Sequence, residues 1–197
     1  MGHSSPTPDS EQVNRKAQVR RSLLKARQSI PPRLWQQKSQ QICQHLANWP
    51  LFQQSRTTLA YCSFRNEPDL SPLLAQQRSW GLPRCEDKSL IWHRWYPTCE
   101  WPLQAGAYGI TEPHPNSPLV EAHKVDLILV PAVACDVKGY RLGYGGGFYD
   151  RMLSHPRWTG KLTIGIVFEC ARLPRVPVDS WDQPLNGICT ESGLFLA

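Results

Sequence analysis

The residues best suited to chemistry lie in one string, Arg141-Leu142-Gly143-Tyr144-Gly145-Gly146-Gly147-Phe148-Tyr149-Asp150-Arg151. Four of its glycines fall within five positions. Glycine permits positive φ and lets backbone N–H groups approach a ligand closely. Where such a loop opens a helix, its amides and the helix N-terminus suit phosphate oxygens. Arg141 and Arg151 flank the loop with fixed positive charge. A carboxylate at Asp150 makes sense beside a phosphate only with a cation between them. Magnesium fits, since it binds through one or two carboxylates plus phosphate oxygens. The string has no G-K-[ST] ending and no regular G-x-G-x-x-G. On glycine content alone, a tight turn with close helix packing accounts for it as well as phosphate binding does.

A second set of residues is basic. Residues 12–66 hold ten Lys or Arg and no Asp or Glu, on a chain of net charge +6, so the remainder nets −4. That asymmetry suggests an anionic partner, either nucleic acid or a phosphorylated small molecule; a solvated basic helix face is the plain alternative. Lys16 and Arg20 stand one helical turn apart and project from one face. The seven cysteines include no C-x-x-C pair and no zinc spacing, and read as reduced core thiols. The six histidines share no ligand spacing.

These groups need a scaffold. With 197 residues, 41% hydrophobic and 19% charged, the chain suits one domain with a packed core. No apolar run is long enough to span a bilayer, and the first residues lack the apolar core of a signal peptide, so a cytoplasmic protein is expected. Residues 1–10 read as a flexible tail and 11–197 as one domain. Ser10 is placed to cap a helix reaching about residue 29, with Val19, Leu23, Ala26 and Ile30 as its apolar stripe. Pro31-Pro32 breaks it, and a second helix follows over 33–48. Residues 57–63 read as a strand, and 71–80 as a helix stopped by Gly81. A short strand at Leu82 and another over 89–96 come next. Residues 97–118, with five prolines, form a long excursion. The run Val125 to Val130 has the character of a parallel strand buried on both faces. Helix is expected from Phe148, with strands over 163–168 and 187–190. Helices alternating with apolar strands predict a layered α/β domain.

The longer string changes the balance. Asp126 to Pro131, then Asp136, Gly139 and Arg141 through Asp150, resembles the 5-formyltetrahydrofolate cyclo-ligase family. The similarity runs from about Arg15 to Phe195 and takes in Lys16 and Arg20, Glu67, Pro83-Arg84, Pro177, Asp182 and Thr190-Glu191. It implies a three-layer α/β/α sandwich with a mixed, mostly parallel sheet. It also implies ATP- and magnesium-dependent closure of 5-formyltetrahydrofolate to 5,10-methenyltetrahydrofolate, with release of ADP and phosphate. Carried over, Lys16, Arg20 and the run Arg141, Leu142, Gly143, Tyr144, Gly145, Gly146, Gly147, Phe148 and Tyr149 would contact ATP. Cys62, Glu67, Tyr144, Gly145, Gly146, Gly147 and Phe148 would line the folate site. Asp150 and Asp182 would hold magnesium, and Lys16, Arg141 and Glu67 would carry the chemistry.

The glycine loop departs from relatives that carry Arg or Lys inside it, having Tyr144 and Gly146 there, which puts more weight on Lys16, Arg20 and Arg141. The expected partner is one small molecule, 5-formyltetrahydrofolate, plain or polyglutamylated, acting on a monomer with no nucleic acid and no membrane. Two other readings compete. One is an enzyme of related fold acting on a phosphorylated metabolite, of sugar-phosphate isomerase type. The other is a basic nucleic-acid-binding protein.

Overall fold

The computed structural model describes residues 8–197. The chain opens with α1 (Pro8–Gln28) and α2 (Pro32–Ala47), then a short α3 (Pro50–Gln54). Pro32 sits in the first turn of α2, where no amide partner is missed. Next come β1 (Thr57–Leu59), α4 (Ser71–Leu74), β2 (Ser79–Glu86) and β3 (Ser89–Trp95). Two short strands, β4 (Gln104–Ala105) and β5 (Thr111–Glu112), pair within the proline-rich excursion. β6 (Leu127–Pro131), β7 (Ala134–Asp136) and β8 (Arg141–Leu142) lead to α5 (Phe148–Leu153). β9 (Leu162–Ile166), β10 (Arg172–Leu173), β11 (Gly187–Thr190) and β12 (Gly193–Leu196) complete the chain.

Seven strands form the main sheet in the order β12-β11-β9-β6-β1-β2-β3. The five inner strands are parallel to their neighbours, and each outer strand is antiparallel. The period-2 alternation of strand side chains divides the core between the two faces. Leu127, Leu129, Ile164 and Ile166 pack with Ile42, Leu46, Phe52 and Leu73 of α2, α3 and α4. Ile128, Val130 and Ile188 pack on the other side with Met152 and Leu153 of α5, and Val19 and Leu23 of α1 join them. The result is the expected three-layer α/β/α sandwich, and Val125 to Val130 lies at its centre with every apolar side chain buried.

Several boundaries differ from expectation. α1 starts at Pro8, so Ser10 lies inside its first turn rather than capping it, and residues 8–10 belong to the helix. The remainder of the expected tail, 1–7, lies outside the described residues. The helix expected over 71–80 ends at Leu74, and Gly81 does not stop it. Gly81 is in β2, where a Cβ would fall 2.3 Å from Leu59 Cδ2 on the neighbouring strand. The glycine therefore serves close strand packing. β1 is shorter than expected, because the chain after Ala60 leaves the sheet for the loop that carries Glu67. The edge strand β12 was not anticipated.

A small second sheet, β10-β7-β8, carries the approach to the glycine loop. Its tie is Asp136, which is buried. One carboxylate oxygen accepts from the Lys138 and Tyr140 amides at 3.0 and 3.1 Å, and the other accepts from Val176 N at 3.0 Å. Asp136 and Gly139 thus shape the β7–β8 hairpin. Asp136→Asn presents an amide NH₂ to one of those N–H groups. It is expected to lower stability by about 2–4 kcal/mol in urea unfolding, with a larger loss for Asp136→Leu.

Candidate active site

β1 and β6 are neighbours in the sheet, yet their chains depart in opposite directions. β1 continues through α4 to β2 on one side, and β6 continues through α5 to β9 on the other. The crevice beyond their C-terminal ends is a topological switch point, where open α/β sheets bind ligands. The loop after β1 carries Glu67. The segment after β6 leads through the small hairpin to the glycine loop.

α1 closes this crevice with polar side chains. Lys16 is buried, and its Nζ pairs with Asp179 Oδ2 at 2.6 Å and Asp182 Oδ2 at 2.8 Å. Burial lowers its pKa, but the two carboxylates outweigh this and hold the ammonium above the ordinary lysine value. Arg20 Nε donates to the Gly143 carbonyl at 2.7 Å. Its guanidinium carbon lies 3.8 Å from where a side chain at Gly145 would begin. Gly145 and Gly147 have φ of 104° and 66°, a conformation suited to glycine, and Gly147 is the residue from which α5 starts.

Arg141 is nine-tenths buried and joins two segments. Nη1 donates to the Gln183 carbonyl at 2.7 Å, and Nη2 pairs with Asp150 Oδ1. One guanidinium therefore connects Asp150 to the 179–183 turn that holds Asp182. The glycine loop, Lys16, Arg20, Arg141, Asp150 and Asp182 form one polar assembly. Among the described residues, no group of three or more His, Cys, Asp or Glu could hold a metal ion. Among the described residues, Asp150 Oδ2 and Asp182 Oδ1 make no hydrogen bond or ion pair. A free carboxylate oxygen on each is the donor type that magnesium takes alongside phosphate oxygens and water. Arg151 borders the far end of the glycine loop, its Nη1 2.7 Å from where a side chain at Gly147 would begin. It donates to the Lys88 carbonyl at 2.9 and 2.6 Å and lies over the Phe148 ring.

Glu67 lies on the other side of Tyr144. It is 3% exposed and accepts from Phe64 N at 3.0 Å. Burial pushes its carboxyl up to about 6, against the opposing pull of Arg27, the Tyr144 hydroxyl and the Phe64 amide. Arg65 and Asn66, immediately before it, both have positive φ, 48° and 57°. Strain of this kind concentrates at ligand sites. The Tyr149 hydroxyl is buried without a hydrogen-bond partner, and its ring meets Trp92 edge-on. Its side chain thus points inward, and Leu142 is likewise buried. Phe148 faces Tyr108 of the excursion in a T-shaped pair.

Cys62 lies on a cavity of about 710 Å³ with Trp35, Trp95, Arg65 and Asp69 in its wall. Burial raises the Cys62 thiol to about 11, and Cys43 and Cys135 to about 12, so none of these three is poised as a thiolate.

The sequence reading missed Asp179 and Gln183, which no pattern marks. It also passed over Arg27, which is 5% exposed and donates to the Tyr144 hydroxyl, to Arg65 O at 3.0 Å and to Ala132 O at 3.4 Å. A signal for Arg27 existed. At 100° per residue it falls between Lys16 and Arg20, within a sector of about 40°.

Lys16→Met leaves Asp179 and Asp182 facing each other without their shared cation. The expected loss is about 3 kcal/mol at pH 7. Urea unfolding of the variant beside the wild type measures it.

Residues 12–191 match the family described as the 5-formyltetrahydrofolate cyclo-ligase family. The chain is 30% identical to a 5-formyltetrahydrofolate cyclo-ligase of Haemophilus influenzae over 186 residues, covering 89% of this chain and 97% of that one. It is 29% identical to the enzyme of that name from Escherichia coli K12, covering 86% and 96%. The solution structure of Aquifex aeolicus 5,10-methenyltetrahydrofolate synthetase superposes with a TM-score of 0.80 at 32% identity, covering 92% of each chain. On this match, and with the glycine loop, its basic helix and its buried carboxylate gathered at one switch point, the chain belongs to the 5-formyltetrahydrofolate cyclo-ligase family.

Proposed function

We propose that the protein closes 5-formyltetrahydrofolate to 5,10-methenyltetrahydrofolate at the expense of ATP. The observation that carries this is the joining of two sites across Tyr144. On one side is a cationic, glycine-lined phosphate cradle, and on the other a buried carboxylate. The formyl oxygen of an amide is a poor leaving group and must be activated. Transfer of the γ-phosphoryl to that oxygen releases ADP and leaves an iminium phosphate at N5. N10 attacks the formyl carbon, loses its proton, and expels phosphate as the methenyl bridge forms. Catalysis of phosphoryl transfer is mostly positioning and charge neutralisation.

Lys16, Arg20 and Arg141 supply fixed positive charge, and the amides from Gly143 to Gly147 cradle the phosphates. Asp150 and Asp182 would hold magnesium, which when bound supplies further positive charge at the phosphate oxygens. Arg141 then sets the carboxylate of Asp150, and Lys16 that of Asp182. Glu67, with two acceptor oxygens and strained neighbours, suits the paired N–H donors of the pterin. Cys62 and its cavity lie on the same loop and offer volume for the rest of the folate.

Seven free cysteines support a reducing, cytoplasmic setting. Among the described residues no helix is long and apolar enough to cross a membrane. A monomer acting on plain or polyglutamylated folate is part of this reading. The turning of Lys16 and Arg27 inward removes two charges from the footprint that a nucleic-acid binder would use.

Absorbance at the methenyltetrahydrofolate band, with enzyme, 5-formyltetrahydrofolate and ATP, tests the reading. The signal should require both ATP and magnesium. Lys16→Ala and Asp150→Ala should each lower kcat/KM by about a hundredfold. Folded wild-type protein giving no signal would point instead to a phosphorylated metabolite as substrate. The acid limb of kcat/KM should lie near pH 6, the titration of Glu67. Activity then rises with pH as the carboxylate ionises, and Glu67→Gln removes the limb together with most of the activity.

A further inference from the structure

Tyr144 is 40% exposed, yet its hydroxyl is turned inward. It receives a hydrogen bond from Arg27 Nη2, and Glu67 is near enough to act on it electrostatically. A phenol hydroxyl has one proton to give and lone pairs to accept with. With a guanidinium as its donor, its proton is free for the carboxylate. The same guanidinium lies 5.5 Å from the centre of the Tyr144 ring. Its other nitrogens hold the Arg65 carbonyl of the Glu67 loop and the Ala132 carbonyl just beyond β6. Three segments, far apart in sequence, thus meet on one buried cation. Among the described residues no carboxylate forms a direct ion pair with it. Its charge nonetheless acts on Glu67, pulling the carboxyl down against burial.

We propose that Arg27 is a positioning residue of the reaction: it fixes the Tyr144 hydroxyl on the Glu67 carboxylate and so latches the glycine loop to the substrate loop. The inference rests on the reading of Glu67 as the carboxylate that meets the folate. A hydrophobic side chain would brace the same three segments at less desolvation cost than a guanidinium. What the guanidinium adds is five donors in a fixed fork and a charge opposite Glu67. The groups facing Glu67 are Arg27 from α1, Tyr144 from the glycine loop, Tyr149 from α5, Tyr61 from the end of β1 and the Phe64 amide of its own loop. Arg27 is the one cation among them. A polarised hydroxyl donates more strongly to a carboxylate than a free one. The latch therefore keeps Glu67 ionised at neutral pH, in a site whose burial works against it. It also ties the order of the phosphate cradle to the protonation state of the folate site.

The test follows the Glu67 side-chain carboxyl by ¹³C NMR in substrate-free protein, assigned with Glu67→Gln, alongside the pH profile of kcat/KM. Arg27→Gln and Tyr144→Phe are the variants. Arg27→Gln should move both titrations upward by about one unit, which lowers kcat/KM at pH 6 about fivefold. Tyr144→Phe should move them in the same direction by less. Arg27→Lys keeps the charge and should bring the titration back toward the wild-type value. Glu67 titrating at the wild-type pH in both Arg27→Gln and Tyr144→Phe would overturn the proposal and leave Arg27 as a structural brace. If Arg27→Gln fails to fold by circular dichroism, Tyr144→Phe decides alone, since it removes one hydroxyl from a partly exposed ring. The carboxyl titration needs no turnover. A protein inactive on folate would thus refute the proposed function and still report whether the latch exists.

Discussion

Everything at the candidate site hangs on a helix face that is cationic where a helix usually presents leucine. α1 turns Lys16, Arg20 and Arg27 toward the protein, with Val19 and Leu23 supplying apolar contact beside them. A buried cation is tolerable only when its partners are complete. Each of these three finds its partners on a different piece of chain: the 179–183 turn, the glycine loop, and the loop after β1. Docking α1 and assembling the site are therefore one event. The helix contributes little apolar burial of its own, so its position depends on the same groups that would bind the phosphates. Ligand phosphates add negative charge to a face already short of it. Occupancy should tighten the docking of α1, as ligand binding to the native state does in general.

The cost of preorganisation is visible at Glu67. A carboxyl held at about 6 rather than its ordinary value is less stable ionised in the fold than in the unfolded chain. Stability is lost as pH rises from the unfolded value through about 6 and stays lost above it. The deficit at neutral pH is about 2 kcal/mol. Two adjacent residues in left-handed conformation add backbone strain beside it. The fold offsets these terms with a core buried on both faces of five parallel strands. Enzymes commonly place such unfavourable groups where a ligand will meet them.

The layers and the central strand were legible because their causes are local. An unbroken apolar run bounded by turns can hardly be anything but a strand covered on both sides, and 125–130 is one. The glycine loop was legible because four glycines within five residues are rare without a backbone reason. The errors fell where long-range packing overrides local preference. Residues 75–80 have helical composition, but the helix ends at Leu74 and Gly81 packs against Leu59, so the chain enters a strand from Ser79. Leu142 and Tyr149 belong to the loop by sequence, but their side chains face the core. Asp179 and Gln183 carry no pattern at all, since a carboxylate in a turn looks like any turn residue. Arg27 is the instructive case. Its angular position, with Lys16 and Arg20 beside the apolar stripe, is computable from the sequence, but the groups it meets are distant in the chain and carry no mark. The structure puts stripe and cations alike on the inside.

Topology explains why residues so far apart converge. Two parallel strands that are adjacent in space but send their connections to opposite faces leave a gap between those connections. Here the gap opens beyond β1 and β6. One loop brings a carboxylate to it and the other brings glycine amides. The glycine loop itself carries Tyr144 there, with Arg141 just before it. Further charge comes from an element crossing the mouth of the crevice, and α1 is that element. Its reach sets the order of the cations along it. Lys16 meets the acidic turn at one end, Arg20 the middle of the glycine loop, and Arg27 the Tyr144–Glu67 junction at the other end. From Lys16 to Arg27 is about 16 Å at 1.5 Å per residue, longer than a triphosphate. The helix therefore runs as one rigid rod of fixed charge from the acidic turn to the Tyr144–Glu67 junction.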